Sequence, residues 1–277
     1  MSPLEIVAHR VIWSLAFLAI ILSFTHGWGG LRASMRDRKS VGLLAVAAVA
    51  LSINWLVYVY SVSTNQVVQG SLGYFINPLV SVALGVIVLR ERLRVMQWTA
   101  VGLAIFAVVI LTFSYGHLPW IGLTLAFSFA SYGLIKKYVG FGAVDSLAIE
   151  TAVLCPFAVI LLLFMESTAR GVFVQGGLSI STLLILLGPV TAVPLLAFGA
   201  ASTRIPLSML GVLQYITPLI IFTLGVTVFH DSMSPSRWVG FFIIWIALMI
   251  FSTDAVRNVR RTTRDRRQEE LTVMEPD

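Results

Sequence analysis

Glu150 and Arg10 are ionisable side chains set inside apolar runs, Ala148-Ile-Glu-Thr-Ala-Val-Leu154 and Ile6-Val-Ala-His-Arg-Val-Ile12. A charge at the centre of a membrane helix costs about 2.5 to 3.5 kcal/mol on insertion scales, so a charge that is kept there has a role. Glu150 is the candidate coupling carboxylate, a group that takes up a proton or a cation. A structural hydrogen bond, or contact with cytoplasmic water, is its competing role. Arg10, with His9 beside it, is an outer-mouth charge that either holds an anionic ligand group or snorkels to the headgroups, and snorkelling is favoured. Lys136 ends another run, where anchoring at the membrane surface is expected.

Amides and phenols form the second set. In the run over residues 67–89 the centre falls at Asn77 and Pro78, and in the run over 206–229 it falls at Thr217 and Pro218. Each proline is a helix-kink candidate, because it removes the bond to the carbonyl four residues earlier and frees the oxygens of Tyr74 and Gln214. Gln69, Gly73, Asn77 and Ser81 recur every four residues and share one helix face. The candidate substrate-binding residues are Asn54, Tyr58, Tyr74, Asn77, Tyr132, Gln214 and Tyr215, which suit a ligand with both apolar and polar parts. Their competing role is to pack helices, since small and polar side chains are the usual glue between helices in lipid. Trp13, Trp55 and Trp98 are weaker candidates, and Trp98, Trp120 and Trp238 lie where interfacial tryptophans belong.

Enzyme chemistry finds no footing. The chain has no HExxH, no GxSxG and no glycine-rich phosphate loop, and its four histidines, His9, His26, His117 and His230, are scattered. No catalytic residue, metal site or cofactor is therefore expected. Cys155 is the single cysteine and excludes a disulfide framework.

The elements that must position these residues follow from composition. Of 277 residues, 58% are apolar and 12% charged, and the mean hydropathy is +0.92, whereas a soluble domain is about a quarter charged. Nine apolar stretches long enough for membrane helices lie near 6–24, 41–62, 67–89, 95–114, 118–135, 145–164, 179–202, 206–229 and 235–254. Sixteen of the nineteen Lys and Arg fall in links that share one side, leaving Arg10, Arg170 and Arg237 on or near the other. This positive-inside bias puts the C-terminus in the cytoplasm, and it accounts for the net charge of +6 without nucleic acid.

An internal repeat at an offset of 140 pairs Ile76 with Ile216, Pro78 with Pro218, Gly85 with Gly225, Glu91 with Asp231, Trp98 with Trp238 and Glu5 with Asp145. Only the stretch over 118–135 lacks a mate, which would precede Met1, so ten helices are expected in the full-length protein and nine here. Five helices per unit is odd, so the second unit enters the membrane from the opposite side. The expected fold is an all-α polytopic membrane protein built as an inverted repeat of five-helix units: residues 1–114 the first, lacking its first helix, residues 115–256 the second, and 257–277 a basic cytoplasmic tail.

The blocks Glu5-Ile-Val-Ala-His-Arg-Val-Ile-Trp-Ser14, Asn54-Trp55, Ser71-Leu-Gly-Tyr-Phe-Ile-Asn-Pro-Leu79, Gln97-Trp98, Ala126-Phe-Ser-Phe129, Tyr132-Gly133, Glu150-Thr151 and Gln214-Tyr-Ile216 with Pro218 resemble the RarD family. That family belongs to the EamA branch of the drug/metabolite transporter superfamily. The resemblance implies ten helices with both termini cytoplasmic, and export as the usual direction.

The sequence thus points to a secondary transporter that moves a small metabolite or drug-like compound across the cytoplasmic membrane by alternating access, coupled to protons or cations. The expected partners are a small-molecule substrate, the lipid bilayer and a second copy of the chain as a homodimer. The alternatives are a non-transporting membrane sensor or assembly protein, and a facilitative channel.

Overall fold

A computed structural model describes residues 2–25, 27–64, 67–115, 120–168, 171–173, 176–218, 220, 238–240, 242–254 and 257. Among the described residues every regular element is a helix: α1 (Pro3–Phe24), α2 (Trp28–Ser34), α3 (Arg38–Ser63), α4 (Val67–Ile87), α5 (Val95–Tyr115), α6 (Trp120–Val139), α7 (Ala143–Ser167), α8 (Gly177–Arg204) and α9 (Leu207–Leu213). Trp238–Asp254 is a further apolar helix. By length and composition α1, α3, α7 and α8 can each cross a membrane, and α4, α5 and Trp238–Asp254 contribute shorter apolar spans. His26, His117, His230, Arg170, Arg237, Gly225, Asp231 and the tail from 258 onward lie outside the described residues, as does the side chain of Gln69.

Local signals set the ends. The Ser2 hydroxyl accepts from the Glu5 N–H at 3.1 Å and Pro3 opens α1, which supplies a partner for one of the free amides at the helix start. Asp37 caps α3, its carboxylate accepting from Lys39 N at 3.1 Å and Ser40 N at 3.3 Å, and the Ser40 hydroxyl donates to it at 2.6 Å. Asp37 lies in the exposed link before α3, and the Ser40 hydroxyl bond, aided by the Ser40 N–H, holds its carboxyl below the ordinary value of 3.8. Arg90 adopts the left-handed region at φ 55°, which ends the chain's run from α4.

Two elements differ from expectation. The link after α1 folds into α2, a seven-residue helix too short to carry its own apolar period. The helix expected over 206–229 stops at Leu213, and Gln214 and Tyr215 form a turn before helix resumes at Ile216. Pro218 cannot donate to the Gln214 carbonyl, so the ladder fails one turn ahead of it. Pro78, by contrast, sits inside α4, which continues through it.

The chain divides into two compact units, Met1–Glu91 with Pro119–Gln214, and Arg92–Leu118 with Tyr215–Asp277. In the first, α1 packs on α7 and α8, α3 on α6 and α7, and α4 on α6 and α9. Small residues let the backbones close. A Cβ at Gly188 would lie 2.4 Å from the Trp13 backbone, and one at Gly211 would lie 2.9 Å from the Pro78 carbonyl oxygen. Polar groups turn inward, with Glu5, Ser14, Asn77, Lys136, Ser146, Glu150 and Thr151 all buried. Phe157 and Val190 are 71% and 67% exposed, the outward apolar face that lipid requires. In the second unit Arg94 Nη1 meets Asp254 Oδ2 at 3.1 Å, which ties the start of α5 to the end of Trp238–Asp254.

Candidate functional site

Glu150 lies seven residues into α7, about 10 Å along the helix. Its Oε1 accepts from Lys136 Nζ at 2.9 Å and its Oε2 from the Tyr132 hydroxyl at 3.1 Å. Lys136 Nζ also donates to Ser146 Oγ at 2.7 Å. The spacing of four places Tyr132 above Lys136 on α6, and the same spacing places Ser146 beside Glu150 on α7, so two faces meet in one bonded group. The side chains of Lys136 and Glu150 are 2% and 1% exposed.

Lys136 is therefore not a surface anchor. Helix α6 continues to Val139, one turn past the end expected at 135, which moves Lys136 inside the helix and opposite the Glu150 carboxylate. Sequence reasoning missed this pair, although Tyr132 and Lys136 stand four apart on one helix and Ser146 and Glu150 four apart on the next.

Arg10 reaches across to α8 and α3. Its Nε donates to Thr191 Oγ1 at 3.1 Å, and its guanidinium carbon lies 4.4 Å from the centroid of the Trp55 ring. Tyr58 and Tyr74 are within electrostatic reach of it and pack edge to face, their centroids 6.3 Å apart. Beside Arg10, His9 Nδ1 accepts from Trp13 Nε1 at 3.2 Å and the His9 ring stacks on Phe173 at 4.9 Å.

The remaining candidates separate by partner. Asn54 Nδ2 donates to the Leu125 carbonyl at 2.9 Å and to Ser128 Oγ at 3.0 Å, which joins α3 to α6. Asn77 Nδ2 donates to Gln214 Oε1, which joins α4 to the residue ending α9. Tyr215 and Pro218 are buried in the second unit. The structure thus brings Tyr132 to Glu150 and Tyr58 with Tyr74 to Arg10, and it leaves Asn54 in a helix-to-helix bond. Among the described residues no cluster of His, Cys, Asp and Glu could hold a metal ion.

Acids at helix starts make a further set of contacts. Glu5, in the first turn of α1, accepts from Val172 N at 2.6 Å, and Asp145, in the first turn of α7, accepts from Ser34 Oγ at 3.3 Å. Glu91 accepts from the N–H groups of Leu207 and Ser208 at 2.6 and 2.9 Å, which caps α9 from another part of the chain.

Comparison with known proteins decides the family. Residues 1–113 match the model of the EamA-like transporter family. Protein RarD of Streptomyces exfoliatus is 50% identical over 261 residues, which is 94% of this chain and 83% of that protein. Protein RarD of Escherichia coli K12 is 44% identical over 260 residues, 94% of this chain and 88% of the relative. The chain belongs to the RarD family. This RarD-family protein is a multi-pass membrane transporter of the EamA branch. A solved structure titled "Crystal structure of protein" shares the fold at a TM-score of 0.66, with 16% identity, covering 90% of this chain and 88% of its own.

Within this RarD-family chain the Lys136, Glu150 and Tyr132 group and the Arg10, Trp55, Tyr58 and Tyr74 group are different chemistries. The first is a closed, mutually neutralising set. In the second a guanidinium has aromatic neighbours and one hydroxyl partner, Thr191.

Proposed function

We propose that this RarD-family chain is a secondary exporter of a small metabolite or drug-like compound in the cytoplasmic membrane, working by alternating access and coupled to protons or cations through Glu150. The carrying observation is the buried Lys136 and Glu150 pair, which bridges α6 and the membrane-length helix α7. A proton delivered to Glu150 removes the negative charge, leaves the Lys136 ammonium without its counter-ion and weakens the hold of α6 on α7. Re-forming the pair releases the proton and draws the helices together again. Such a bond between two helices responds to one proton with a change in packing, which is what coupling requires.

Two inverted repeats, 1–114 and 115–256, supply the alternation. Three features support them. The family match ends at residue 113. Helix α1 packs on α8 as its offset partner α7 packs on α3. The first-turn acids Glu5 and Asp145, paired by the offset of 140, each reach the link that follows the other's helix. The basic links and tail favour a cytoplasmic C-terminus.

The test is reconstitution of the protein in liposomes with a trapped pH-sensitive dye, a ligand panel that includes chloramphenicol, and Glu150→Gln in parallel. A ligand-dependent internal pH change in the wild type that Glu150→Gln abolishes is the expected result. Full coupling in Glu150→Gln would remove Glu150 from this role.

A further inference from the structure

The charged side chains of the first unit's spans are not equally satisfied. Lys136 has Glu150, and Glu5 has the Val172 amide. Arg10 has no carboxylate in ion-pair distance among the described residues, where the ion pairs are Arg94 with Asp254 and Lys136 with Glu150, and unlike Arg38, Lys39, Lys137 and Arg204 it stands seven residues inside its helix and not near a helix end. Among the described residues the phenols of Tyr58 and Tyr74 act on it electrostatically.

The guanidinium's remaining capacity has a definite shape. The guanidinium carbon lies over the Trp55 ring, and Thr191 takes Nε. What is left is the edge that carries Nη1 and Nη2, the fork that receives a carboxylate or sulfonate through two parallel bonds. Tyr58 and Tyr74 add two phenols to the same place, with Tyr58 37% exposed, so an aromatic or apolar body has surfaces to meet.

The groups around Arg10 lie inside the helices and not at their ends. Trp55 lies eight residues from the end of α3, about 12 Å along the helix. Thr191 is fourteen residues from the start of α8, about 21 Å along it. Arg10 itself lies seven residues into α1, about 10 Å along the helix.

We propose that Arg10, backed by Trp55 and Thr191 and flanked by Tyr58 and Tyr74, is the anion-binding subsite of the substrate site, and that the substrate is an organic anion with an aromatic or apolar body. This rests on the transporter function proposed above and narrows its substrate class. A cationic compound is repelled at this position, and a neutral one leaves the guanidinium fork empty.

The experiment measures equilibrium binding to the full chain in phosphatidylcholine nanodiscs. The probes are indole-3-acetate, 3-phenylpropionate and naphthalene-2-sulfonate, each against a neutral counterpart such as indole-3-acetamide. The acids are expected to bind at least tenfold more tightly than the neutral forms. Arg10→Gln should erase that difference, and Arg10→Lys should keep part of it. Equal binding of acid and neutral forms, no binding by any acid, or unchanged acid selectivity in Arg10→Gln overturns the assignment. Loss of acid binding on adding phosphatidylglycerol assigns the fork to lipid phosphate and also overturns it. If Arg10→Gln does not fold, the wild-type contrast between acid and amide still decides. Acid-selective binding without flux in liposomes defeats the transporter reading and leaves the anion site; flux of neutral compounds without acid selectivity does the reverse.

Discussion

Lys136 Nζ and Glu150 Oε1 stand 2.9 Å apart between α6 and α7, both side chains almost wholly withdrawn from the surface. Taking one partner away leaves an uncompensated charge, whereas replacing both with apolar residues of similar size does not. Lys136→Met alone should therefore lower stability by about 3 to 5 kcal/mol, and Lys136→Met with Glu150→Leu should recover most of the loss. Thermal unfolding in detergent reads this directly. A double variant as unstable as the single would mean the residues act separately.

Helix contact depends on a missing side chain at Gly188, where a Cβ would meet the Trp13 backbone at 2.4 Å. Gly188→Ala must push α1 from α8 and should cost about 1 to 3 kcal/mol. Gly102→Ala, with nothing within 4 Å of the new Cβ, should be neutral or stabilising. Comparing the two melting temperatures separates crowding from a general intolerance of change.

Asp37 gives a pH signature outside the membrane. The Ser40 hydroxyl holds its carboxyl below 3.8. Because the folded value is the lower one, the cap is fully present above 3.8 and is lost as pH falls through the lowered value. Hydrogen exchange at Lys39 and Ser40, corrected for intrinsic rates, should lose protection in that acid range. In Asp37→Asn, whose amide oxygen still accepts but does not titrate there, the protection should not change with pH.

Glu5 and Asp145 hold opposite ends of the first unit through Val172 and Ser34. In an inverted repeat these are equivalent latches on opposite sides. Glu5→Gln should raise labelling of a cysteine placed near Val172 by an impermeant maleimide from outside, and Asp145→Asn should raise labelling near Ser34 from inside. Matching changes on one side for both variants would contradict the inverted arrangement.

Much of this organisation was legible in residue order. Apolar stretches near 20 residues predict helices because lipid leaves backbone groups no other partner, and α1, α3, α7 and α8 begin and end within a few residues of expectation. Glu150 was found as a charge in an apolar run. Its partner was not, because Lys136 stands beside Lys137 at an expected helix end, where a basic pair reads as an anchor, and only packing reveals that one of the two turns inward. Lys137 does behave as a terminal residue, donating to the Ser202 and Ile205 carbonyls at 3.3 and 2.6 Å. The direction of Arg10 was hidden for a similar reason: Thr191 is 181 positions away, and no local pattern names it. The shortening of α9 was visible in Pro218, which the sequence marks, but α4 continues through Pro78, so a proline alone does not say whether a helix will break.

The most direct test of coupling through Glu150 imposes a pH gradient across proteoliposomes and follows a radiolabelled compound drawn from the panel. Wild-type protein should accumulate it against its own gradient until the pH difference collapses, and Glu150→Gln should only let it equilibrate. Accumulation that persists in Glu150→Gln, or that ignores the pH gradient in the wild type, would contradict the account.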